Sequence, residues 1–255
     1  LEQIMSDCEK TGTKVSIIPF CYRYIPSRPY IDQIDRIPLI NIRKIPLDNY
    51  ANAFLKRAMD FFGALILLIL SSPILLVTAI GVKLTSPGPV IFKQERVGLN
   101  KELFTMYKFR SMIVNDQSDT AWSTNEDPRK TKFGAFIRKY SIDELPQLFN
   151  ILIGDMSLVG PRPERPEIAR QYEEEMPEFR LRLQAKAGLT GYAQVYGKYN
   201  TTPYDKLLMD LTYIGTPSLW EDFKICLATV KILFMPESTE GISEGQTTAM
   251  SGKND

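Results

Sequence analysis

Apolar and polar residues are mixed along most of the chain, with one exception. From Phe61 to Val82 there is no charged residue. A helix over these 22 residues is roughly 33 Å long, enough to enter or cross the hydrocarbon of a bilayer. Ser71-Ser72-Pro73 sits at its midpoint. Proline removes one backbone hydrogen bond and crowds the carbonyl four residues back. The serine hydroxyls can satisfy the freed groups locally. The pattern therefore predicts a bent, membrane-embedded helix. Lys56 and Arg57 precede the run and Lys83 follows it. Basic flanks belong on the cytoplasmic face. Having them on both sides favours a helix that enters and returns to the same face, with a kinked straight span as the alternative. The run lies too deep in the chain for a signal peptide and no small-residue cleavage pattern follows it.

Elsewhere the patterning predicts shorter elements. Ile4 to Thr11 reads as a helix stopped by Gly12, and Lys14 to Ile18 as a strand. Prolines then punctuate a meandering stretch to Leu47. Tyr50 to Asp60 is an amphipathic lead-in to the apolar run. Val90 to Glu95 and Leu103 to Phe109 alternate like strands about a turn at Gly98-Leu99-Asn100, which predicts a hairpin. Asp116 to Lys132 is polar and reads as a loop. Helices are expected over Phe133–Lys139, over Leu145–Ile153 ended by Gly154, over Glu167–Ala187 in two pieces because of Pro177, and over Thr202–Ile214. Ser218 to Phe234 carries Trp220, Phe223, Leu227, Val230 and Phe234 on one side. That stripe suits either a core face or insertion at a membrane interface. The Ser-, Thr-, Gly- and Glu-rich end reads as a tail. The fold class expected is α+β, mostly α. The expected segments are 1–50, the end of a preceding α/β unit; 51–85, the lead-in and membrane helix; 86–235, a catalytic domain; and 236–255, a flexible tail. The opening at Leu1, in what reads as mid-helix, suggests a piece of a longer protein.

Charge changes the picture mainly by its distribution. The net is +1, so no global basic field points to nucleic acid. Lys83–Tyr140 nevertheless has 11 Lys/Arg against 6 Asp/Glu, and Ser141–Arg180 has 4 against 9. A basic stretch beside a membrane element suits anionic lipid or phosphate ligands, and ordinary solvated surface is the plainer reading. Histidine is absent, so catalysis must rest on carboxylates, lysine, tyrosine or hydroxyls. Cys8, Cys21 and Cys226 form no zinc spacing and no disulfide framework, as in a reducing compartment.

Three clusters could carry chemistry. In Arg138-Lys-Tyr-Ser-Ile-Asp143-Glu144, Ser141 with Glu144 three places on matches a capping box. The alternative makes Asp143 a nucleophile or metal ligand with Glu144 as its partner and Arg138 on phosphate oxygens. Gly154-Asp-Met-Ser-Leu-Val-Gly160-Pro161-Arg162-Pro163 is a rigid turn that would hold Arg162 for an anion or simply face it to solvent. Gly188-Leu-Thr-Gly191-Tyr192-Ala-Gln194 through Lys198 offers close backbone approach with stacking and polar groups for a nucleotide, in neither Walker nor Rossmann spacing.

Taken in order, Lys56-Arg57 and Asp60, the apolar run with Ser72-Pro73, Tyr107-Lys-Phe-Arg110-Ser-Met112, Ser141-Ile-Asp-Glu-Leu-Pro-Gln147, Gly154 to Pro163 and Gly188-Leu-Thr-Gly191 form a specific set. From about Phe54 to Phe234 the chain resembles the bacterial sugar transferase family, monotopic phosphoglycosyl transferases that start glycan assembly on a polyprenyl carrier. The resemblance implies a monotopic domain with a re-entrant helix broken at Ser72 and Pro73 and both ends on the cytoplasmic side of the bacterial inner membrane. It implies amphipathic interfacial helices, a small hairpin, and Asp143 and Glu144 as a catalytic and Mg²⁺-binding dyad. It implies a UDP-sugar donor, a covalent phosphosugar on Asp143, release of UMP, and undecaprenyl or another polyprenyl phosphate as acceptor. Arg138, Arg162 and Arg110 fall at positions for the substrate phosphates, and Tyr192, Gln194 and Lys198 at positions for the nucleotide. Lys198 stands where some members have arginine, so it keeps the charge without the planar fork. Membrane lipid is an expected partner, and oligomeric state is left open, a homo-oligomer included. A membrane-bound metal-dependent hydrolase and a non-catalytic scaffold are the rival readings.

Overall fold

The computed structural model describes residues 30–34, 37–41, 49–113, 129–197 and 201–233. The expectations for 4–18, for 116–128 of the polar loop, for Lys198, for Phe234 of the apolar stripe and for the tail lie outside them. The chain divides into two units, Leu1–Lys44 and Ile45–Asp255. In the first, β1 (Tyr30–Ile34) and β2 (Ile37–Asn41) pair antiparallel, with Tyr30 opposite Asn41 and Ile34 opposite Ile37. The proline-punctuated sequence did not suggest this hairpin.

In the second unit the apolar run lies within α1 (Tyr50–Thr85). Asn49 caps it by accepting from the Ala51 amide, and Ser86, extended before Pro87-Gly88-Pro89, ends it. Pro73 lies inside. The Ile69 carbonyl that would have bonded to residue 73 instead accepts from the Ser72 hydroxyl at 2.8 Å. The Ser71 hydroxyl, expected to share this task, has no hydrogen-bond partner among the described residues. The expected break does not divide the element: α1 is one helix of 36 residues. Asp60, Ala64, Thr78 and Val82 are buried along one side of it, and Ile69, Leu70, Leu76 and Val77 are exposed.

The expected hairpin is present as β3 (Ile91–Val97) and β4 (Leu103–Phe109), in register from Ile91↔Phe109 to Val97↔Leu103. Its connection is a 3₁₀ turn, Leu99–Lys101, with Asn100 and Lys101 left-handed. Then follow α2 (Lys132–Lys139), a 3₁₀ turn at Ile142–Glu144, and α3 (Gln147–Ile153), which Gly154 terminates in the left-handed conformation. Asn150 of α3, fully buried, bonds the edge of β4: its Oδ1 accepts from the Tyr107 amide at 3.1 Å and its Nδ2 donates to the Thr105 carbonyl at 2.7 Å.

Two strands were not foreseen. β5 (Met156–Val159) and β6 (Ala187–Thr190) pair in parallel, with α4 (Pro166–Glu175) and a 3₁₀ helix (Pro177–Gln184) between them. The sequence predicted one charged helix in two pieces there, and Pro177 does divide it. Gly160 and Gly188 let the two strand ends touch: a Cβ on either would collide with the other strand's backbone. α5 (Tyr192–Tyr196), α6 (Pro203–Gly215) and α7 (Leu219–Leu233) complete the unit.

α1 is seated in two apolar clusters. Ala64 joins Met106, Leu148, Ile151, Met156, Leu211 and Ile225, while Val82 joins Phe109 and Ile137. Both flanks of the apolar run are thus held by the same body. Arg57 donates to the Ile151 and Leu152 carbonyls at 2.5 and 2.7 Å, capping α3. Lys56 lies between Asp60 (3.1 Å) and Asp222 (2.8 Å), while Asp60 accepts from the Leu158 amide and Asp222 from the Tyr213 hydroxyl. These flanking cations, read from sequence as topology signals, are committed to the fold. The same network turns α7: Asp222 is buried while Trp220, Phe223, Leu227 and Val230 face outward, so the apolar stripe is not a core face.

Candidate active site

Asp143 and Glu144 occupy the 3₁₀ turn between α2 and α3. The capping box expected of Ser141 is not formed. Ser141 is left-handed (φ 52°) and its side chain caps nothing; its carbonyl accepts from the Glu144 amide instead. The Ser-x-x-Glu spacing therefore serves a tight turn that presents two carboxylates, not a helix start. The turn is fixed from behind by Ile142, which packs against the cluster of Val82, Phe109 and Ile137.

The two carboxylates differ in surroundings. Glu144 Oε1 accepts from Lys108 Nζ at 2.7 Å and from Arg162 Nη2 at 2.8 Å. Burial pushes its carboxyl up, but the charges of Arg162 and Lys108 outweigh that and hold it well below the usual carboxylate range. Asp143 is 7% exposed. Burial pushes its carboxyl up to about 6, aided by the Glu144 charge and opposed by Lys108, Arg138 and Arg162. Burial likewise pushes the Lys108 ammonium down, against the pull of Glu144. The arrangement is one carboxylate neutralised by Lys108 and Arg162 beside one pushed up by burial, and those two cations together with Arg138 act on Asp143. Such a site takes anions, and its proton affinities are split between two like groups.

Lys108 was missed as a site residue. It stood in the quoted Tyr107–Met112 motif, and the signal was available: in β4 it shares the strand face of buried Met106. Arg110, expected at the phosphates, has other partners. It is buried, and its Nη atoms donate to the Pro87 and Ser86 carbonyls at 2.8 and 2.7 Å, which commits it to the chain leaving α1. Arg138, in the last turn of α2, acts on Asp143 through its charge.

Arg162 reaches the pair from the loop after β5, with 48% of its side chain exposed. Its main chain is held firmly. Arg182 donates to the Arg162 carbonyl at 2.9 Å and pairs with buried Asp210 at 2.7 Å, and Arg96 donates to the Pro163 carbonyl at 3.0 Å. β6 runs parallel to β5 and leads through Gly191 into α5, so Tyr192 and Gln194 leave from the same end of the pair as Arg162. The Tyr192 and Tyr196 rings lie 4.6 Å apart. Gln194 turns inward, donating to the Leu189 carbonyl at 3.3 Å and leaving its buried Oε1 without a partner among the described residues.

The sequence profile of the bacterial sugar transferase family matches residues 51–236, the span that holds α1 and every element around this acidic pair. The chain belongs to the bacterial sugar transferase family. Proteins similar to it carry several names. A UDP-glucose:undecaprenyl-phosphate glucose-1-phosphate transferase of Xanthomonas campestris pv. campestris is 38% identical over 243 residues, covering 91% of this chain and 50% of the relative. A UDP-N-acetylgalactosamine-undecaprenyl-phosphate N-acetylgalactosaminephosphotransferase of Aeromonas hydrophila is 39% identical over 236 residues, 91% of this chain and 55% of the relative. The exopolysaccharide production protein PSS of Rhizobium leguminosarum bv. phaseoli is 42% identical over 186 residues, 69% of this chain and 93% of the relative. The chain thus spans about half the length of the first two and nearly all of the third.

Among the described residues no three His, Cys, Asp or Glu side chains gather as a metal cage. Mg²⁺ does not need one. It keeps several waters and is commonly held by one or two carboxylates with substrate phosphates. The pair Asp143 and Glu144 fits that sparse donor set.

Proposed function

We propose that this chain is the catalytic part of a phosphoglycosyl transferase that moves a sugar phosphate from a UDP-sugar to polyprenyl phosphate, undecaprenyl phosphate in bacteria. The observation that carries the reading is the unequal pair: Asp143 buried and raised toward neutrality beside Glu144 held ionised by Lys108 and Arg162. The names of the relatives support the donor and acceptor classes.

In the proposed reaction an Asp143 carboxylate oxygen attacks the sugar-bearing phosphorus. The bond to the bridging oxygen breaks and UMP leaves with its electron pair. The phosphosugar remains on Asp143 as an acyl phosphate. A phosphate oxygen of the polyprenyl acceptor then attacks the same phosphorus, releases the Asp143 carboxylate and yields polyprenyl diphosphate sugar. Arg162 and Arg138 hold phosphate oxygens, and Lys108 fixes Glu144. Burial strips water from Asp143, which favours attack by carboxylate over hydrolysis. Bound by Asp143 and Glu144, Mg²⁺ would offset the repulsion between the attacking and receiving anions. Tyr192, Gln194 and Lys198 are assigned to the nucleotide.

A lipid acceptor requires the site at the membrane, and a nucleotide donor requires the cytoplasmic face. We read α1 as re-entrant. Support comes from its two flanks, Arg57 with Asp60 and Gly81 with Val82, which rest on one body. The outward stripe of α7, with Trp220 66% exposed, is read as lying in the interface.

The decisive experiment adds UDP-sugar without acceptor, denatures the protein and measures its intact mass. A gain of one phosphosugar, absent in Asp143→Asn, is expected. Steady UMP release without any adduct would establish a hydrolase instead, and unchanged function in Asp143→Asn would leave only a scaffold.

A further inference from the structure

Three aromatic residues lie at i, i+3 and i+7 on α2, the helix that leads directly into the acidic turn. The Phe133 and Phe136 rings stack with centroids 6.4 Å apart, and Phe136 meets Tyr140 edge-on at 5.3 Å. The row has two different ends. At one, Phe133 rests on α1, where Gly81 leaves room: a Cβ at that position would collide with its ring. Ile80 and Leu84, which flank Gly81, are exposed apolar residues of the membrane helix. At the other end, Tyr140 is the C-cap of α2, followed by Ser141 and then by Asp143 in the next turn. At that end the cations lie beside the acidic turn: Arg138 acts on Asp143, and Lys139 lies 5.9 Å over the Tyr140 ring, whereas Lys132 and Lys83 at the Phe133 end have no carboxylate of that turn beside them in sequence.

Phe136 and Tyr140 are 53% and 39% exposed. Side chains of this size gain free energy when covered. A linear apolar molecule with an anionic head matches a track that starts at a membrane helix and finishes at cations beside a carboxylate. Flat rings suit a branched, unsaturated chain, because they offer broad contact at little cost in side-chain entropy.

We propose that Phe133, Phe136 and Tyr140 form the track along which the polyisoprenoid chain of the acceptor runs from α1 to Asp143. This rests on the function proposed above and adds the residues that select the acceptor. The test separates the two half-reactions in detergent-solubilised protein, comparing Phe136→Ala, Tyr140→Ala and the conservative Phe136→Leu. Adduct formation from UDP-sugar alone should stay within about twofold of the parent in all three. With undecaprenyl phosphate the alanine variants should raise the acceptor KM by about tenfold, each equivalent to about 1.4 kcal/mol of lost binding, and Phe136→Leu should recover most of it. With a three-isoprene phosphate the loss should be smaller, because less chain reaches the row. An unchanged KM for the long acceptor overturns the proposal. So does lowered partition onto phosphatidylethanolamine–phosphatidylglycerol vesicles with acceptor KM in detergent intact, which would make the row a contact for bulk lipid. If the parent forms no adduct, the function fails. If the parent forms adduct and the variants match it at both steps, only the track fails.

Discussion

Asp143 and Glu144 are neighbours in sequence with opposite electrostatic roles, and single substitutions should separate them. Asp143 is folded at a raised affinity for protons, so its ionisation opposes folding. Asp143→Asn should abolish transfer, on the order of 10³-fold or more, yet in chelator-treated protein raise Tm by the equivalent of about 1–3 kcal/mol at pH 7.5. The sign fixes the window. The wild-type carboxyl is charged above about pH 6 and protonated in both folded and unfolded chain below about pH 4, so the gain should be full at pH 7.5 and vanish near pH 4. Thermal melts across that range check it. Glu144→Gln should act in the other direction. Lys108 and Arg162 would lose their counter-charge, and Tm should fall by the equivalent of about 1–3 kcal/mol at neutral pH. Because the Glu144 carboxyl is held below its ordinary range, the stability it gives is present above about pH 4.5 and lost as pH falls further. The acidic pair itself was legible in the sequence. Its asymmetry was not, because that depends on Lys108 arriving from a strand 36 residues away.

At the scale of elements, legibility followed periodicity. The apolar run, the β3–β4 hairpin and helices α2, α3, α6 and α7 carry a period that can be read locally, and all are present. β5 and β6 have four residues each and border on glycine and proline, so they read as rigid turns, and their pairing is non-local. That pairing is what brings Arg162 to the acidic turn. Arg182 holds it there through the Arg162 carbonyl, with Asp210 as the counter-ion. Nη2 of Arg182 serves both the Arg162 carbonyl and Asp210, and Nη1 lies 3.5 Å from Glu164. Arg182→Lys should keep the Asp210 pair but lose the Glu164 contact and hold the Arg162 carbonyl less firmly, raising the UDP-sugar KM about tenfold with the melting temperature little changed. Arg182→Met would leave Asp210 buried without its partner and should cost about 3–5 kcal/mol of stability. Steady-state kinetics and denaturant melts distinguish the two. Arg110 is the reverse case: its place in a basic motif pointed to phosphate, and nothing in the sequence signalled its bonds to the Ser86 and Pro87 carbonyls.

At the scale of the molecule, α1 and the catalytic body are one unit rather than an anchor with a passenger. Lys56 and Arg57 show why sequence could not distinguish topology signals from structural ones: the same positive charge serves either. In a background lacking Cys8, Cys21 and Cys226, single cysteines at exposed Tyr50 and Leu84 should react with an impermeant maleimide from the same side of inner-membrane vesicles. Labelling from opposite sides would reject the re-entrant reading. The backbone contact of Gly160 with Gly188 has its own consequence. Neither glycine has a side chain to offer a substrate, and neither could be found by assaying ligand contacts. A saturation scan for glycan output should nevertheless show both as intolerant as Asp143, since even one methyl group would wedge apart the seam on which the arginine loop and the tyrosine helix are jointly mounted.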